Sequence, residues 1–165
     1  MEKVVSVIKE NLIYIIIILI VLFIKIYIFS PIRVSGESMH PTLEDKDIMI
    51  LNEYYYRFND IKRFDIIVIK LDNEYIIKRV IGLPGEKIEY KDNNLYVNDK
   101  KIKENFSHEK TIDFKANVSK DGYFVLGDNR VNSTDSRVLG AITKDKIKGK
   151  TNLTIFPFNR LGDKR

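Results

Sequence analysis

Phe64-Asp65-Ile66-Ile67-Val68-Ile69-Lys70-Leu71-Asp72-Asn73-Glu74-Tyr75-Ile76-Ile77-Lys78-Arg79-Val80-Ile81-Gly82 is the stretch that decides the fold. Two β-branched runs, Phe64 to Lys70 and Tyr75 to Ile81, flank the polar Leu71-Asp72-Asn73-Glu74, and the pattern predicts a β-hairpin. In the second run Ile76, Lys78 and Val80 share one face of a strand, with Ile77 and Ile81 on the other. Lys78 is thus the lysine of the chain most exposed to desolvation. Burial disfavours the ammonium form, so its pKa is expected to fall.

Outward from the hairpin the β signal continues. Asp47 to Leu51 is a short apolar strand, and Pro84-Gly85 suits positions i+1 and i+2 of a type II turn. Glu86 to Tyr90, Leu95 to Val97 and Lys101 to Lys103 read as small strands, with a tight turn at Asn98-Asp99. Tyr123 to Leu126 is a further strand, ending at Gly127-Asp128-Asn129. Residues 104–120 are polar and weakly patterned and read as a surface insertion. Asp135 to Leu139 carries a weak helical-turn signal. The expected class is mainly β, one domain of two packed or partly closed sheets.

The chain has 165 residues, enough for one compact domain with a core and one anchor. It has no cysteine, which excludes disulfides, thiolate metal sites and cysteine nucleophiles. With only two histidines, His40 and His108, a multi-histidine metal site is excluded as well. The net charge of +5 is spread along the chain, and no basic run interleaved with aromatics marks a nucleic-acid surface. No metal, cofactor or nucleic-acid partner is expected.

Leu12 to Phe29 is apolar except for Lys25. As a helix these 18 residues span roughly 27 Å, close to the hydrocarbon thickness of a bilayer. Lys25 can snorkel, and Tyr14 and Tyr27 suit the two interfaces. A cleavable leader would end in small residues; here the exit is Ile28-Phe29-Ser30-Pro31, which favours an uncleaved anchor. Lys3 and Lys9 bias the N-terminus to the cytoplasmic side. The expected organisation is a cytoplasmic N-terminus over 1–11, a transmembrane anchor over 12–29, and an extracytoplasmic domain over 30–165.

Just past the anchor comes Ser35-Gly36-Glu37-Ser38-Met39-His40-Pro41-Thr42-Leu43. A serine hydroxyl is a weak nucleophile until a base takes its proton. His40 lies too close behind Ser38 to serve and His108 falls in the polar insertion, so Lys78 is the candidate base. Nucleophile, lysine and anchor together suggest a protease working at a membrane surface. Taken singly, Ser38 reads as a turn serine and Lys78 as a solvent-reaching strand lysine.

Three motifs in order change that reading. Ser38-Met39-x-Pro41-Thr42-Leu43, then Tyr75 to Gly85 around Lys78-Arg79, then Gly127-Asp128-Asn129-Arg130 with Asn132-Ser133 and Asp135-Ser136-Arg137, resemble the bacterial type I signal peptidases. The resemblance runs from the anchor to about Gly140 and is closest to the short, single-anchor forms of Gram-positive bacteria. It implies a β-sheet serine peptidase that cleaves signal peptides from exported preproteins at the cell membrane. By the same resemblance Ser38 is the nucleophile, Lys78 the general base, and Ser133 the hydroxyl that bonds and orients the lysine amine. Asp128, Arg79, Arg130 and Asp135 match positions that brace the site. Val34, Met39, Leu43 and Ile77 match the shallow pockets for small side chains, and the substrate strand lies along a sheet edge. Three positions depart from the family pattern. Gly36 stands where some members place a serine that helps hold the oxyanion. Phe64 stands where a glycine is more usual, and Val131 replaces a common acidic residue.

Overall fold

The computed structural model describes residues 11–22 and 29–164. The predicted hairpin forms as β3 (Ile66–Lys70) and β4 (Tyr75–Gly82), antiparallel with Ile67 opposite Lys78 and Ile66 opposite Arg79. Around it the first strands run β1 (Phe29–Arg33), β2 (Ile48–Asn52) and the short helix α2 (Tyr55–Phe58), where α1 is the helix over residues 11–22. After the hairpin come β5 (Lys87–Lys91), β6 (Asn94–Val97), β7 (Lys100–Ile102), β8 (Phe114–Asn117) and β9 (Gly122–Leu126). The chain finishes with α3 (Ser136–Leu139), β10 (Ile142–Thr143), β11 (Ile147–Phe156) and β12 (Gly162–Asp163).

The strands make two sheets. One has the order β1-β2-β11-β3-β4-β9-β10, with β12 paired to β11; the other is β7-β6-β5-β8. Both faces of the hairpin are buried, because each is covered by a different part of the chain. Ile67, Ile69, Val80 and Val125 meet in one apolar cluster. On the opposite face Ile66 packs with Val34, Met39, Leu43 and Met49. There Ile81 and Leu126 pack against Ile88, Tyr90 and Leu95 of the small sheet. The strand period of two thus sends alternate residues of one hairpin into separate cores.

The turn chemistry follows its residues. Gly85 has φ +78°, and the Glu86 N–H closes the turn onto the Leu83 carbonyl at 3.2 Å. Asn98 and Asp99 both lie at positive φ (49° and 65°), as a two-residue turn of opposite twist requires. Asp92 and Asn93 make the same kind of turn between β5 and β6 (φ 50° and 60°), which the sequence reading did not mark.

One expectation is corrected. The 104–120 stretch is not merely a surface insertion. It contributes β8 to the small sheet and buries Thr111 and Val118. The alternation in Phe114-Lys115-Ala116-Asn117 is too short and too polar to stand out, yet Ala116 opposite Ile88 completes the sheet.

Helix α1 exposes every side chain from Leu12 to Leu22. Among the described residues no helix is long and apolar enough to cross a membrane. The remainder of the expected anchor, with Lys25 and Tyr27, and the expected N-terminal segment up to Glu10 lie outside the described residues. Phe29, its expected last residue, begins β1.

Candidate active site

Ser38 sits in the loop between β1 and β2. The loop is pinched at its base, where Val34 N–H donates to the Asp47 carbonyl at 2.8 Å and Lys46 N–H to the Val34 carbonyl at 3.0 Å. Met39 and Leu43 plunge into the core beneath, and the Leu43 N–H closes a turn onto the Met39 carbonyl at 2.9 Å. From the far side, Asn129 N–H donates to the Ser38 carbonyl at 3.1 Å. Ser38 is therefore a half-buried side chain on a loop fixed at three points. Gly36 has φ +85°, and a Cβ added there would meet nothing. Backbone conformation, not space, accounts for glycine, so a serine at this position would be strained.

Lys78 brings its Nζ to 2.7 Å from Ser38 Oγ and donates a second bond to its own strand at the Ile77 carbonyl, 3.0 Å away. The residue is 3% exposed. Burial pushes its pKa down to about 8, against the opposing pull of the Asp135, Glu74 and Asp128 carboxylates. This is the poise a lysine needs to accept a proton near neutrality. Neither histidine competes: His40 is exposed, and His108 pairs with Glu104 at 3.2 Å.

Arg79, next to Lys78, points the other way into a fully buried pair. Its Nε lies 2.9 Å from Asp128 Oδ1 and its Nη2 2.7 Å from Asp128 Oδ2, with both side chains at 0% exposure. Nη1 donates to the Phe64 carbonyl at 3.0 Å. The Arg79 guanidinium carbon stands 3.9 Å from the centroid of the Phe106 ring. Phe64 adopts φ +73°, which explains why glycine suits this position. The phenylalanine is held there by its N–H bond to the Val80 carbonyl at 2.7 Å and by edge packing on Phe106 at 5.2 Å.

Asp135 caps α3 and receives the Arg137 guanidinium in a two-pronged pair at 2.8 Å each, while Oδ2 also accepts the Gly127 N–H at 3.1 Å. Arg130 is buried among the Gly127 carbonyl, the Tyr90 and Thr111 hydroxyls and Glu104, at 2.8 to 3.0 Å. Val131 is exposed and takes no part in these networks.

Two expected site residues make contacts other than those the resemblance implies. Ser133 Oγ is buried but makes no hydrogen bond to Lys78, and has no partner among the described residues. Its hydroxyl lies instead over Gly127. A Cβ on Gly127 would collide with Ser133 Oγ and with the Ser38 carbonyl oxygen, so the missing side chain is what lets those two serines approach. Leu43 is fully buried in the core cluster with Met39, Met49 and Ile66 and does not line the groove.

Val34, Met39 and Ile77 do line a groove of about 690 Å³ that also contains Ser38 and Lys78. The groove runs between two open strand edges. β1 pairs only with β2 among the described residues, and β4 pairs with β9 only from Arg79 onward, which leaves Tyr75 to Lys78 unpaired on that side. An extended peptide can add to such an edge while alternate side chains enter the groove.

The sequence reading missed several supporting residues. Thr42 donates to Asp128 Oδ2 at 2.5 Å, tying the nucleophile loop to the buried pair. Phe106 supports Arg79, and its only trace in the sequence is an aromatic residue in a polar stretch. Glu104, Thr111 and Tyr90 surround Arg130 and leave no local pattern.

Residues 6–156 match the sequence model of the family described as signal peptidase, peptidase S26. Signal peptidase I of Bacillus amyloliquefaciens is 39% identical over 89% of this chain and 86% of its own. Signal peptidase I V of Bacillus subtilis (strain 168) is 42% identical over 76% of this chain and 85% of its own. A crystal structure of a signal peptidase I from Enterococcus faecalis V583 superposes with a TM-score of 0.50 at 36% identity, covering 56% of this chain and 97% of that one. A buried lysine held against a loop serine, a mainly β scaffold and this run of relatives lead to one conclusion: the chain belongs to the peptidase S26 family, among the bacterial type I signal peptidases.

Proposed function

We propose that this serine peptidase removes N-terminal signal peptides from exported preproteins with Ser38 as nucleophile and Lys78 as general base. The observation that carries the proposal is the 2.7 Å contact between a buried, pKa-depressed lysine and a serine in the wall of an edge-strand groove. In the reaction the neutral amine of Lys78 takes the Ser38 Oγ proton as Oγ attacks the scissile carbonyl. The resulting ammonium returns that proton to the leaving amine as the C–N bond breaks. Lys78, neutral again, then deprotonates the water that cleaves the ester. The Ser38 N–H donates to no acceptor among the described residues, and in this reading it is the backbone donor that receives the developing oxyanion. Asp128, Arg79, Arg130 and Asp135 hold the loops that bring these groups together. Ser133 supports them by packing over Gly127. Val34, Met39 and Ile77 form the shallow subsites for small side chains.

The test is cleavage of a model preprotein by the detergent-solubilised full chain, with the cut mapped by mass across a pH series. Activity requires the neutral amine, so kcat/KM should rise with pH and level off above a midpoint near 8. Below the midpoint it should fall about tenfold per pH unit. The cut should follow small residues at the first and third positions before it. A rate that rises on acidification below neutrality, or a cut directly after Leu or Phe, contradicts the proposal.

We further propose that residues 12–29 anchor the chain in the cell membrane, with 1–11 cytoplasmic and 30–165 outside. What supports this reading is the all-round apolar, exposed surface of α1, which offers no face to a protein core. The lipid bilayer is then a partner that confines enzyme and substrate to one surface and raises their effective concentration. Deleting residues 1–28 should slow cleavage of a preprotein in liposomes far more than cleavage of a soluble peptide. Equal losses on both substrates would overturn the tether.

A further inference from the structure

The chain's last turn reaches back to the loop that carries Ser38. After β11, Phe158–Arg160 forms a single 3-10 turn, and Arg160 lies beyond the last residue matched to the family. Its guanidinium grips three residues at once. Nη1 is 2.7 Å from Glu44 Oε1, Nε is 3.1 Å from Asp47 Oδ1, and Nη2 is 3.2 Å from Asp47 Oδ2 and 3.1 Å from the Thr42 carbonyl oxygen.

Each partner already has a task in the loop. Asp47, at 1% exposure, accepts the Glu44 N–H at 3.1 Å through Oδ2, and its carbonyl closes the base of the loop through Val34. Thr42 presents its carbonyl to Arg160 and its hydroxyl to Asp128. Asp128 is bound by Arg79, the residue after Lys78, and is followed by Asn129, whose N–H holds the Ser38 carbonyl. From Arg160 to either reacting side chain there are only bonded or covalently adjacent groups. A planar fork can span two carboxylates and a carbonyl together, which a lysine ammonium cannot do. A buried carboxylate such as Asp47 left without its cation is strongly unfavourable, so the grip is not incidental.

We propose that Arg160 is a positioning residue for acyl transfer, setting the nucleophile loop through Thr42 and Asp47. The proposal rests on the Ser38–Lys78 reading. The experiment uses the full chain in detergent and a fluorogenic peptide with Ala at the first and third positions before the cut. The kcat and KM of each variant are measured separately, well below its own melting temperature. Arg160→Met should lower kcat between roughly tenfold and a hundredfold, as loss of near-attack geometry does. KM should stay within about twofold and the pH midpoint should not move, since Arg160 touches neither the groove nor Lys78. Arg160→Lys, which keeps a charge on Asp47, should recover the melting temperature but only part of kcat. Thr42→Val combined with Arg160→Met should lose less than the product of the two single losses, because both act through one residue. Asn159→Ala, at the exposed neighbour, should leave the rate unchanged. Wild-type kcat in folded Arg160→Met or in Arg160→Lys overturns the proposal, as does full multiplicativity with Thr42→Val. Ser38→Ala in the same assay reports on the dyad alone, so turnover retained there would strike the dyad reading and not the positioning claim.

Discussion

Ser38→Ala and Lys78→Ala should each lower turnover by more than about a thousandfold, and the double variant should be scarcely worse than either single one. The two side chains meet at 2.7 Å and act as one unit, so removing either removes the proton transfer that both serve. Lys78→Arg should be as inactive as Lys78→Ala, because a guanidinium stays protonated and cannot act as a base. Ser133→Ala should be much milder, since its hydroxyl makes no bond to Lys78. The measurement is single-turnover cleavage of a model preprotein by each purified variant. Near-normal rates in Lys78→Arg would dismiss the lysine as base.

Asp128→Ala should be the most destabilising of the substitutions considered, by about 3–5 kcal/mol, because it strands the Arg79 guanidinium in the interior. For a chain of this length that corresponds to a fall in melting temperature of roughly 10 °C or more. The loss is not purely local. Asp128 also receives the Thr42 hydroxyl, so the nucleophile loop loses a tie as the pair breaks. Replacing both partners with apolar residues, as in Arg79→Met with Asp128→Leu, should restore much of the stability, since no buried charge is then left unpaired. It should not restore activity, because Thr42 still lacks its acceptor. Thermal unfolding and preprotein cleavage on the same three samples check both halves. A melting temperature within about 2 °C of wild type for Asp128→Ala would show that the pair does not brace the site.

Much of the site was legible because its chemistry leaves local traces. Lys78 stands in a β-branched run and Ser38 in a short turn motif, and their order behind an apolar segment points to one reaction. Three details resisted. Phe64 departs from the family pattern, and its positive φ accounts for the usual glycine, but a backbone angle leaves no mark on a sequence that has no glycine there. Leu43 and Met39 look alike in the motif and both enter the core, and only the direction of the loop turn leaves Met39 bordering the groove as well. The long strand β11, which joins β2 to β3, is obscured by Lys148, Gly149, Lys150 and Asn152, which interrupt any apolar alternation.

By itself the sequence determined the β3–β4 hairpin, since its two β-branched runs and the polar turn lie within one short stretch, whereas the burial that lowers the Lys78 pKa comes from the tertiary fold. The class of reaction was legible only from the three motifs in order, around Ser38, Lys78-Arg79 and Gly127-Asp128-Asn129-Arg130, and from the family they resemble. Only the tertiary structure decided who meets whom across the chain. The approach of Ser38 to Lys78, the seat of Ser133 over Gly127 and the reach of Arg160 to Thr42 are set by how the large sheet and its loops close on one another. Such contacts join residues far apart in the chain through single bonds, and a single bond imposes no periodicity that the sequence could display.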